Sequence, residues 1–338
     1  MNPILTVLTS CYNAAPYLNE AVTSILEQTF RDFEFLLIDD GSTDNTKEIL
    51  NEYARLDSRI TVVSKPNTGL ASSLNYGLSM ARGQWIARMD ADDISLPQRF
   101  QEQVTFLSDH PGTVLLGAGC IEMNSTGVPI RKHYYPTTTQ SLVGQLLCGK
   151  SPFPHSSAVF GKSAVARLNG YRVRLNGAED VDLWLRLSQD GEVRCLPEPL
   201  IWLRRHSGSI TAKNEKLMVL SMAAKVSYQL RILKYPDPVA AEDLVYKRFL
   251  DWLYFRLKTD GGLACRQFWL ELWAALEKNP SRSSAGRTLR ILQHVLKSRQ
   301  RIQLITERLF SSKYAVHLAD DWIAEQLPTE KYIECTEY

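Results

Sequence analysis

The sequence predicts an α/β fold in which a mostly parallel sheet is flanked by helices. Two observations support this prediction. Short runs of β-branched and other apolar residues alternate with longer amphipathic segments in the N-terminal part of the chain, and each strand-like run ends in polar residues. Strands that alternate with helices of ten or more residues are typical of repeated βαβ units, whose strands run parallel.

The individual elements follow from local patterns. The predicted strands are Ile4 to Ser10, FEFLLIDD, RITVVSK and GQWIARMD. The intervening helices are Pro16 to Glu27, the segment that follows the turn at Gly41 with Ser42 and Asp44 as N-cap candidates, and GLASSLNYGLSMA. The helical segments place apolar residues on one side, and the strands are short apolar runs bounded by turn residues.

Composition narrows the class of protein. The chain has 338 residues, 44% of them hydrophobic, and a formal charge of +2, so it can bury a core and has no overall basic field for nucleic acid. Its six cysteines form no CxxC pair, which favours a reducing compartment over a disulfide framework or a zinc site. The N-terminus lacks the pattern of a secretory signal, and no run approaches the ~20 apolar residues of a membrane-spanning helix. We therefore expect a cytoplasmic protein, at most peripheral at the inner face of the membrane.

Polar side chains follow all four predicted strands. These strand ends carry Ser10 to Asn13, Asp39 and Asp40, Asn67, and Asp90 to Asp93. A single Asp or Asn at such a place is usually a helix cap or a turn residue. Ligands of open parallel sheets, however, bind outside the carboxyl ends of the strands. Four polar strand ends in succession therefore favour one ligand site.

The segment WIARMDADD crowds three carboxylates, Asp90, Asp92 and Asp93, behind an apolar strand. Carboxylates this close repel one another and raise one another's pKa unless a cation or a donor network offsets the charge. The first strand is not followed by GxGxxG, and there is no Walker lysine loop, which disfavours a dehydrogenase-like dinucleotide enzyme. Mg²⁺ or Mn²⁺ is commonly held by one or two carboxylates together with substrate phosphate oxygens. The pattern therefore predicts a site for a metal-bound diphosphate.

An ordered set of motifs carries a family resemblance. TSCYN, LLIDDGSTDNT, NTGLASSLNYGLSMARG, ARMDADD and AEDVDLWLRL follow one another over about the first two-thirds of the chain. In this order and spacing they resemble the inverting family 2 glycosyltransferases. The resemblance implies a GT-A fold with a Rossmann-like, mostly parallel sheet, a UDP-sugar as donor substrate, and Mn²⁺ or Mg²⁺ as the cofactor.

The resemblance also implies residues that bind the nucleotide. Ser10, Tyr12 and Asp40 match the pocket for the base, in which Asp40 accepts a hydrogen bond from an N–H of uracil. Asn67 matches the asparagine on the nucleotide side. Donor bases other than uracil stay open.

For the metal and the ribose, the resemblance implies a second group of residues. Asp90 corresponds to the ribose-proximal carboxylate of the DxD motif and Asp92 to the direct metal ligand, whereas Asp93 is expected to cap the next turn. His206, in LIWLRRHSGSIT, matches a histidine that reaches the metal or the diphosphate in some relatives. The alternative for His206 is an exposed loop histidine.

A second acidic cluster, Glu179 and Asp180, opens a predicted helix. Acidic residues in a first helical turn often only complement the helix dipole. Sugar transfer with inversion, however, needs a carboxylate that deprotonates the acceptor hydroxyl. By the resemblance Asp180 is this base and Glu179 orients the acceptor. His155 lies in the acceptor-side segment, with a buried structural histidine as the alternative.

The chain is expected to consist of two regions. Residues 1–210 form the GT-A domain, with a donor half at about 1–105 and an acceptor half at about 110–210, and residues 211–338 form a C-terminal helical extension. Between Ser281 and Lys313 basic residues alternate with leucines and isoleucines at helical spacing. Such a helix either packs its apolar stripe on the protein or rests on anionic lipid.

Two functions remain open at this point. The first is an active transferase that moves a sugar to a glycan or a lipid-linked glycan during synthesis of a surface polysaccharide. The second is a non-catalytic module that binds nucleotide sugars or glycans on the same scaffold, because a fold alone does not establish activity. Asp90, Asp92 and Asp180 favour the enzyme, since a binding module needs no base.

Overall fold

The computed structural model describes residues 2–147, 150–206, 215–255, 315 and 318–323. The chain divides into two compact units. The first comprises Met1–Leu146 and Lys150–Ser221, and the second comprises Leu147–Gly149 and Met222–Tyr338. The division of the chain that was expected from its sequence, with donor and acceptor halves, stays a prediction.

Nine strands form one sheet in the described part of the chain. Their bounds are β1 Leu5–Cys11, β2 Phe33–Asp39, β3 Ile60–Ser64, β4 Trp85–Arg88, β5 Ile94–Ser95, β6 Thr113–Met123, β7 Pro129–His133, β8 Val159–Gly161 and β9 Glu192–Arg204. The strand order is β3-β2-β1-β4-β8-β6-β9-β5, and β7 pairs with β6 outside this path.

Helices occur in both units of the described part of the chain. Their bounds are α1 Ala15–Leu26, α2 Thr46–Leu56, α3 Leu70–Met80, α4 Arg99–Asp109, α5 Thr139–Leu147, α6 Lys162–Arg167, α7 Glu179–Leu187 and α8 Glu215–Ile232. Residues 243–255 are also helical. The elements predicted before residue 90 are all present, with ends that differ by a few residues.

The strands β3, β2, β1 and β4 form the parallel part of the sheet. β1 pairs in parallel with both β2 and β4, and β2 pairs in parallel with β3. β1 and β2 are buried along nearly their whole length because their apolar side chains face helices and core on both sides. The carboxyl ends of these four strands therefore meet at one edge, and the predicted α/β fold class is confirmed.

Beyond β4 the sheet becomes mixed, and this part brings distant segments to the same edge. The short strand β8 runs antiparallel to both β4 and β6, whereas β6 and β9 run parallel. The two residues of β5 pair with the end of β9, so that Ile94 lies opposite Trp202. The segment after β9 is thereby held beside the acidic segment that precedes β5.

In the second unit, α8 and the following turn are held together by polar contacts. Arg231 Nη1 lies 2.9 Å from Asp237 Oδ2, and the Ser227 hydroxyl donates to Asp237 Oδ1 at 2.7 Å. Phe249, Trp252 and Trp322 form an aromatic cluster, in which the two tryptophan rings are 5.0 Å apart.

Within the described ranges, no helix is both long enough and apolar enough to cross a bilayer. The basic segment from Ser281 to Lys313 lies outside the described residues, so both interpretations of it stay predictions.

Candidate active site

The acidic segment after β4 forms a compact cluster of carboxylates. Oxygen atoms of Asp90, Asp92 and Asp93 all lie within 4.8 Å of one another. Burial and the neighbouring Asp90 raise the pKa of Asp92, and the contact with His206 offsets only part of this rise. Carboxylate oxygens are the ligands that Mg²⁺ and Mn²⁺ prefer, and a divalent cation would offset the repulsion within the cluster. The residues present therefore fit a divalent metal.

Asp93 is the most deeply buried residue of this cluster, and its contacts differ from those of the turn cap that was expected. It is 1% exposed and accepts hydrogen bonds from the Arg204 backbone N–H, at 2.8 Å, and from the Ser156 hydroxyl. Burial and the charges of Asp90 and Asp92 raise the pKa of Asp93 well above its ordinary value. The prediction of a turn cap was wrong, because Asp93 instead fastens the end of β9 to the acidic segment.

His206 reaches the acidic cluster from the residue stretch that follows β9. Its Nε2 lies 2.8 Å from Asp92 Oδ2, and its ring lies 4.9 Å from the ring of Tyr17. Arg204 supports this arrangement, since its Nε donates to the Asp92 carbonyl at 2.8 Å. The two residues assigned to the metal from the sequence are thus in contact, although their sequence positions are far apart.

Arg88, the last residue of β4, is a functional candidate that the sequence argument missed. Its side chain is buried and forms an ion pair with Asp90 through Nη1, and the same atom lies 3.4 Å from the Ser156 hydroxyl. An arginine inside an otherwise apolar strand is rarely buried without a partner. The segment WIARMD already contained this signal, because it places an arginine inside a strand that was predicted from its apolar residues.

Asp40, which was predicted to bind the nucleotide, organises the loop between β3 and α3. Its carboxylate accepts from the backbone N–H groups of Thr68 and Gly69, each at 2.9 Å, and forms an ion pair with Lys65. Burial alone would raise the pKa of Asp40, but these donors outweigh burial and hold the pKa below its usual value. Asp40 is therefore an ionised, buried acceptor that fixes the loop carrying Asn67.

The other residues predicted to bind the nucleotide lie at the end of β1 and on the loops beside it. Ser10 is paired in register with Ile38, and Tyr12 follows the end of β1 with 53% of its surface exposed. A Cβ atom on Gly41 would lie 2.8 Å from the backbone nitrogen of Asn67. Gly41 also has a φ of +75°, so this close approach of two loops requires glycine.

The second carboxylate pair lies at the start of α7. Glu179 is buried and accepts from the Gly177 backbone N–H, and burial together with the charge of Asp180 raises its pKa to about 7. Burial also raises the pKa of Asp180, while the Val181 N–H, at 2.7 Å, and Arg88 act in the opposite direction. The same helix contains Asp182, whose carboxylate lies 2.7 Å from Arg186 Nη2. Asp182 is therefore occupied by an ion pair within the helix.

His155 lies among aromatic side chains close to this pair. Its Nε2 is 2.9 Å from the Tyr171 hydroxyl, and its ring makes an edge contact with Trp184 at 5.5 Å. Burial and the neighbouring Arg88 lower the pKa of His155 well below its ordinary value. The ring is therefore neutral near pH 7, and its contacts are those of a packed side chain.

An acidic cluster at the carboxyl edge of a largely parallel sheet, together with a second buried carboxylate pair, is typical of enzymes that act on phosphorylated substrates. Comparison with known proteins narrows this class. The family model for glycosyl transferase family 2 matches residues 6–169. With this match and with relatives covered over more than two-thirds of their length, the chain belongs to glycosyl transferase family 2.

Similar proteins of known sequence come from several bacteria. EpsE of Bacillus subtilis is 37% identical over 193 residues, covering 56% of this chain and 68% of EpsE. The amylovoran biosynthesis glycosyltransferase AmsE of Erwinia amylovora is 33% identical, with 62% and 79% covered. The O-antigen biosynthesis glycosyltransferase WbnJ of Escherichia coli is 30% identical, with 68% and 88% covered. The predicted class of enzyme, a glycosyltransferase, is confirmed.

Solved structures agree with the fold. The S. aureus TarS structure in complex with UDP-GlcNAc superposes with a TM-score of 0.57 at 16% identity, covering 95% of this chain and 92% of that one. The mannosyltransferase PcManGT from Pyrobaculum calidifontis, in complex with GDP-Man and Mn²⁺, gives 0.56 at 17% identity, with 97% and 89% covered. The likeness confirms the GT-A type of fold.

Proposed function

We propose that this chain transfers a sugar from a UDP-sugar to a hydroxyl of a glycan or lipid-linked glycan, with inversion at the anomeric carbon. The observation that carries the proposal is that the charge of Arg88 acts on two acidic groups. Its guanidinium pairs with Asp90. Burial raises the pKa of both Glu179 and Asp180, and the charge of Arg88 opposes this rise in each. The proposed donor site and the proposed base therefore lie within electrostatic reach of one arginine.

The choice of substrates draws on the similar proteins. TarS is described in complex with UDP and with UDP-GlcNAc, and PcManGT with GDP-Man and Mn²⁺. AmsE and WbnJ are named for the biosynthesis of amylovoran and O-antigen. These names support a nucleotide-diphosphate sugar as donor and a growing polysaccharide as acceptor. The uracil base of the donor would lie against Ser10 and Tyr12 and near Asp40, with Asn67 on the adjoining loop.

The acidic cluster divides into distinct tasks. The ion pair with Arg88 holds the Asp90 carboxylate, which suits Asp90 to the ribose side of the donor. Asp92, with His206 beside it, would hold Mn²⁺ or Mg²⁺. When bound, the cation would stabilise the negative charge of the departing diphosphate. Asp93 keeps β9, and hence His206, in place.

In the proposed displacement, Asp180 accepts the proton of the acceptor hydroxyl. The hydroxyl oxygen forms a bond to the anomeric carbon while the bond from that carbon to the diphosphate oxygen breaks, and UDP leaves with the electron pair. The pKa of Glu179, raised to about 7 by burial and by Asp180, keeps much of this side chain protonated near neutral pH. A protonated Glu179 can orient the acceptor by a hydrogen bond without competing for the proton.

A panel of nucleotide sugars tests the proposal. The protein is incubated with each donor and a glycan acceptor, with Mn²⁺, with Mg²⁺ or with a chelator, and nucleotide release is measured. We expect release from a UDP-sugar that requires the cation, and a product whose anomeric configuration is opposite to that of the donor. Retained configuration in the product would contradict the single displacement, and cation-independent turnover would contradict the role of Asp92.

A further inference from the structure

The hairpin formed by β6, β7 and the turn between them carries an unusual set of exposed apolar side chains. Val128 and Ile130 are each 56% exposed, and Tyr134, directly after β7, is 64% exposed. In the described part of the chain, β7 pairs only with β6. Its residues Pro129 to Arg131 and Lys132 are exposed in succession, so both faces of this edge strand are uncovered.

Cationic side chains accompany these apolar ones. Arg131 on β7 and Arg205, directly after β9, have side chains that are 65% and 41% exposed, and Lys132, next to Arg131 on β7, is also exposed. The buried acid Glu122 accepts from the Nε of Arg131 at 2.7 Å and of Arg205 at 2.8 Å. Both arginines use Nε for this contact, so their terminal amino groups lie outside it.

Glu122 does not cancel the positive charge of the hairpin. Burial acts to raise its pKa, but hydrogen bonds from His133, Arg205 and Arg131 outweigh burial and lower the pKa to about 2. Glu122 is therefore ionised throughout the physiological range and fixes the orientation of two guanidinium groups. Glu122 is thus the partner of both arginines, and Lys132 lies opposite Ile121 instead, which leaves an excess of positive charge.

The turn of the hairpin is built to keep its shape. Asn124 Oδ1 accepts from the Thr126 N–H at 3.0 Å and from the Val128 N–H at 2.9 Å. Arg204 Nη1 donates to the Ser125 carbonyl at 3.2 Å, while Arg204 Nε donates to the Asp92 carbonyl. The turn is thus fastened, through one arginine, to the acidic cluster of the active site.

We propose that this hairpin binds the surface of a bilayer that contains anionic phospholipids. Alternation along the strand places Ile130, Lys132 and Tyr134 on one face and Arg131 on the other. Because both faces of this strand carry exposed side chains, a layer of headgroups on either side of the edge suits it. Exposed apolar side chains bind the interfacial region and arginine and lysine bind the phosphates, which is the pairing that peripheral membrane surfaces use.

This contact sets the active site close to the membrane surface. Because Arg204 joins the turn of the hairpin to the acidic cluster, bound lipid would lie on the side of this cluster, and a lipid-linked acceptor would be delivered there. Only this last consequence, delivery of a lipid-linked acceptor, depends on the proposed function. Binding of the hairpin to vesicles does not depend on it, so the two proposals fail separately.

Flotation with vesicles tests the hairpin. The full chain is mixed with vesicles of phosphatidylcholine alone or with added phosphatidylglycerol, at low and at high ionic strength. The hairpin variant carries Ile130→Ser and Lys132→Glu. The matched control carries the same types of change on α2, Leu56→Ser and Lys47→Glu, where Leu56 is 75% exposed and Lys47 is exposed.

We expect the wild type and the control to float with the anionic vesicles at low ionic strength only. The hairpin variant should bind the anionic vesicles at least roughly tenfold more weakly, because it loses the apolar side chain of Ile130 and reverses the charge of Lys132. Thermal melts check that the variant is folded, and Lys132→Glu alone serves if the double variant is not. Equal flotation of hairpin variant and wild type would overturn the proposal, as would a wild type that stays in solution. A change of oligomeric state in the hairpin variant without lipid would instead assign the surface to a second copy of the chain.

Discussion

At the scale of a single side chain, Arg88 pairs with Asp90, and its charge acts to lower the pKa of Asp180. It is buried at the end of β4 and carries the charge nearest to Asp90. A buried charge without a partner destabilises the folded protein by several kcal/mol. The buried guanidinium of Arg88 therefore depends on the carboxylate that pairs with it. The consequence for catalysis is electrostatic, because a positive charge near a carboxylate favours the ionised form.

Replacing Arg88 should therefore shift the pH dependence of turnover. Burial raises the pKa of Asp180, and Arg88 is one of the groups that oppose the rise. In Arg88→Met that opposition is lost, so the pKa of the base increases and activity falls off at a higher pH on the acid side. Arg88→Lys should restore part of the wild-type profile. Steady-state rates across pH on folded protein measure the shift, and an acid limb that does not move in Arg88→Met would exclude this role.

Glu179 makes a prediction about stability. Burial and Asp180 raise its pKa from 4.5 to about 7, so the folded protein holds the proton more tightly than the unfolded chain. The stabilisation of the folded protein by this bound proton is fully present below pH 4.5 and is lost as the pH rises through about 7. Relative to Glu179→Gln, the wild type should lose up to about 3 kcal/mol of unfolding free energy across that window. Urea unfolding at several pH values measures the difference.

The control for this comparison is Glu52→Gln, which changes an exposed glutamate on α2. It should follow the wild type at every pH. If Glu179→Gln also follows the wild type, Glu179 titrates normally and cannot stay protonated during the reaction.

Asp92 is expected to control metal-dependent nucleotide binding. Asp92→Asn keeps the size of the side chain and its place beside His206 but removes the negative charge. We expect calorimetry to show that Mn²⁺ no longer strengthens the binding of UDP, while the melting temperature stays close to the wild-type value. Asp109→Asn, an exposed change at the end of α4, is the matched control. Unchanged Mn²⁺-dependent affinity in folded Asp92→Asn would remove this residue from the metal site.

At the scale of an element, α3 depends on a residue from a distant segment. Its N-cap is Gly69, which has no side chain to accept a hydrogen bond from the first turn. Asn176 Oδ1 supplies the missing acceptor and binds the Ala71 N–H at 3.0 Å. This contact joins the end of the loop between β3 and α3 to the segment that leads into α7.

Asn176→Ala should therefore destabilise the protein by about 0.5–2 kcal/mol, the usual effect of losing an N-cap acceptor. It should also weaken UDP binding, because the loop fixed by Asp40 begins this helix. Asn176→Asp keeps an acceptor oxygen and should behave like the wild type. Denaturant unfolding and UDP titration on both variants provide the measurement, and equal stability of the alanine and aspartate variants would show that α3 needs no such cap.

At the scale of the whole molecule, the sequence predicts the parallel part of the fold well. Each βαβ unit is encoded locally, since apolar strands such as FEFLLIDD are followed within a few residues by a turn and an amphipathic helix. The polar strand ends then meet because parallel strands place their carboxyl ends at one edge. Asp40 and the acidic cluster were predicted for this reason.

The contacts that complete the site have no such local signal. Ser156 bonds to Asp90 across 66 residues of sequence, and the backbone of Arg204 bonds to Asp93 across 111. They arise from the mixed part of the sheet, where β8 is three residues long and β5 only two. Strands this short show no periodicity, so neither their pairing nor the position of Ser156 could be inferred. The segment from Ser281 to Lys313 lies outside the described residues and stays a prediction.

The central claim is that Asp180 removes the proton of the acceptor during transfer. The proposed base lies on α7, whereas the proposed donor site lies at the carboxyl ends of the strands. The role of Asp180 is therefore tested on the complete transfer reaction. Asp180→Asn keeps the shape of the side chain but removes its basicity, with Asp109→Asn as the control on an exposed helix end.

The direct measurement is steady-state transfer together with donor affinity on folded Asp180→Asn. We expect turnover to fall by roughly 10²–10⁴-fold, the usual range for general-base catalysis, while the affinity for the UDP-sugar stays within a small factor of wild type. An acid that only complements the helix dipole predicts a small loss of stability and nearly normal turnover. A folded Asp180→Asn protein that transfers sugar at close to the wild-type rate would contradict the account.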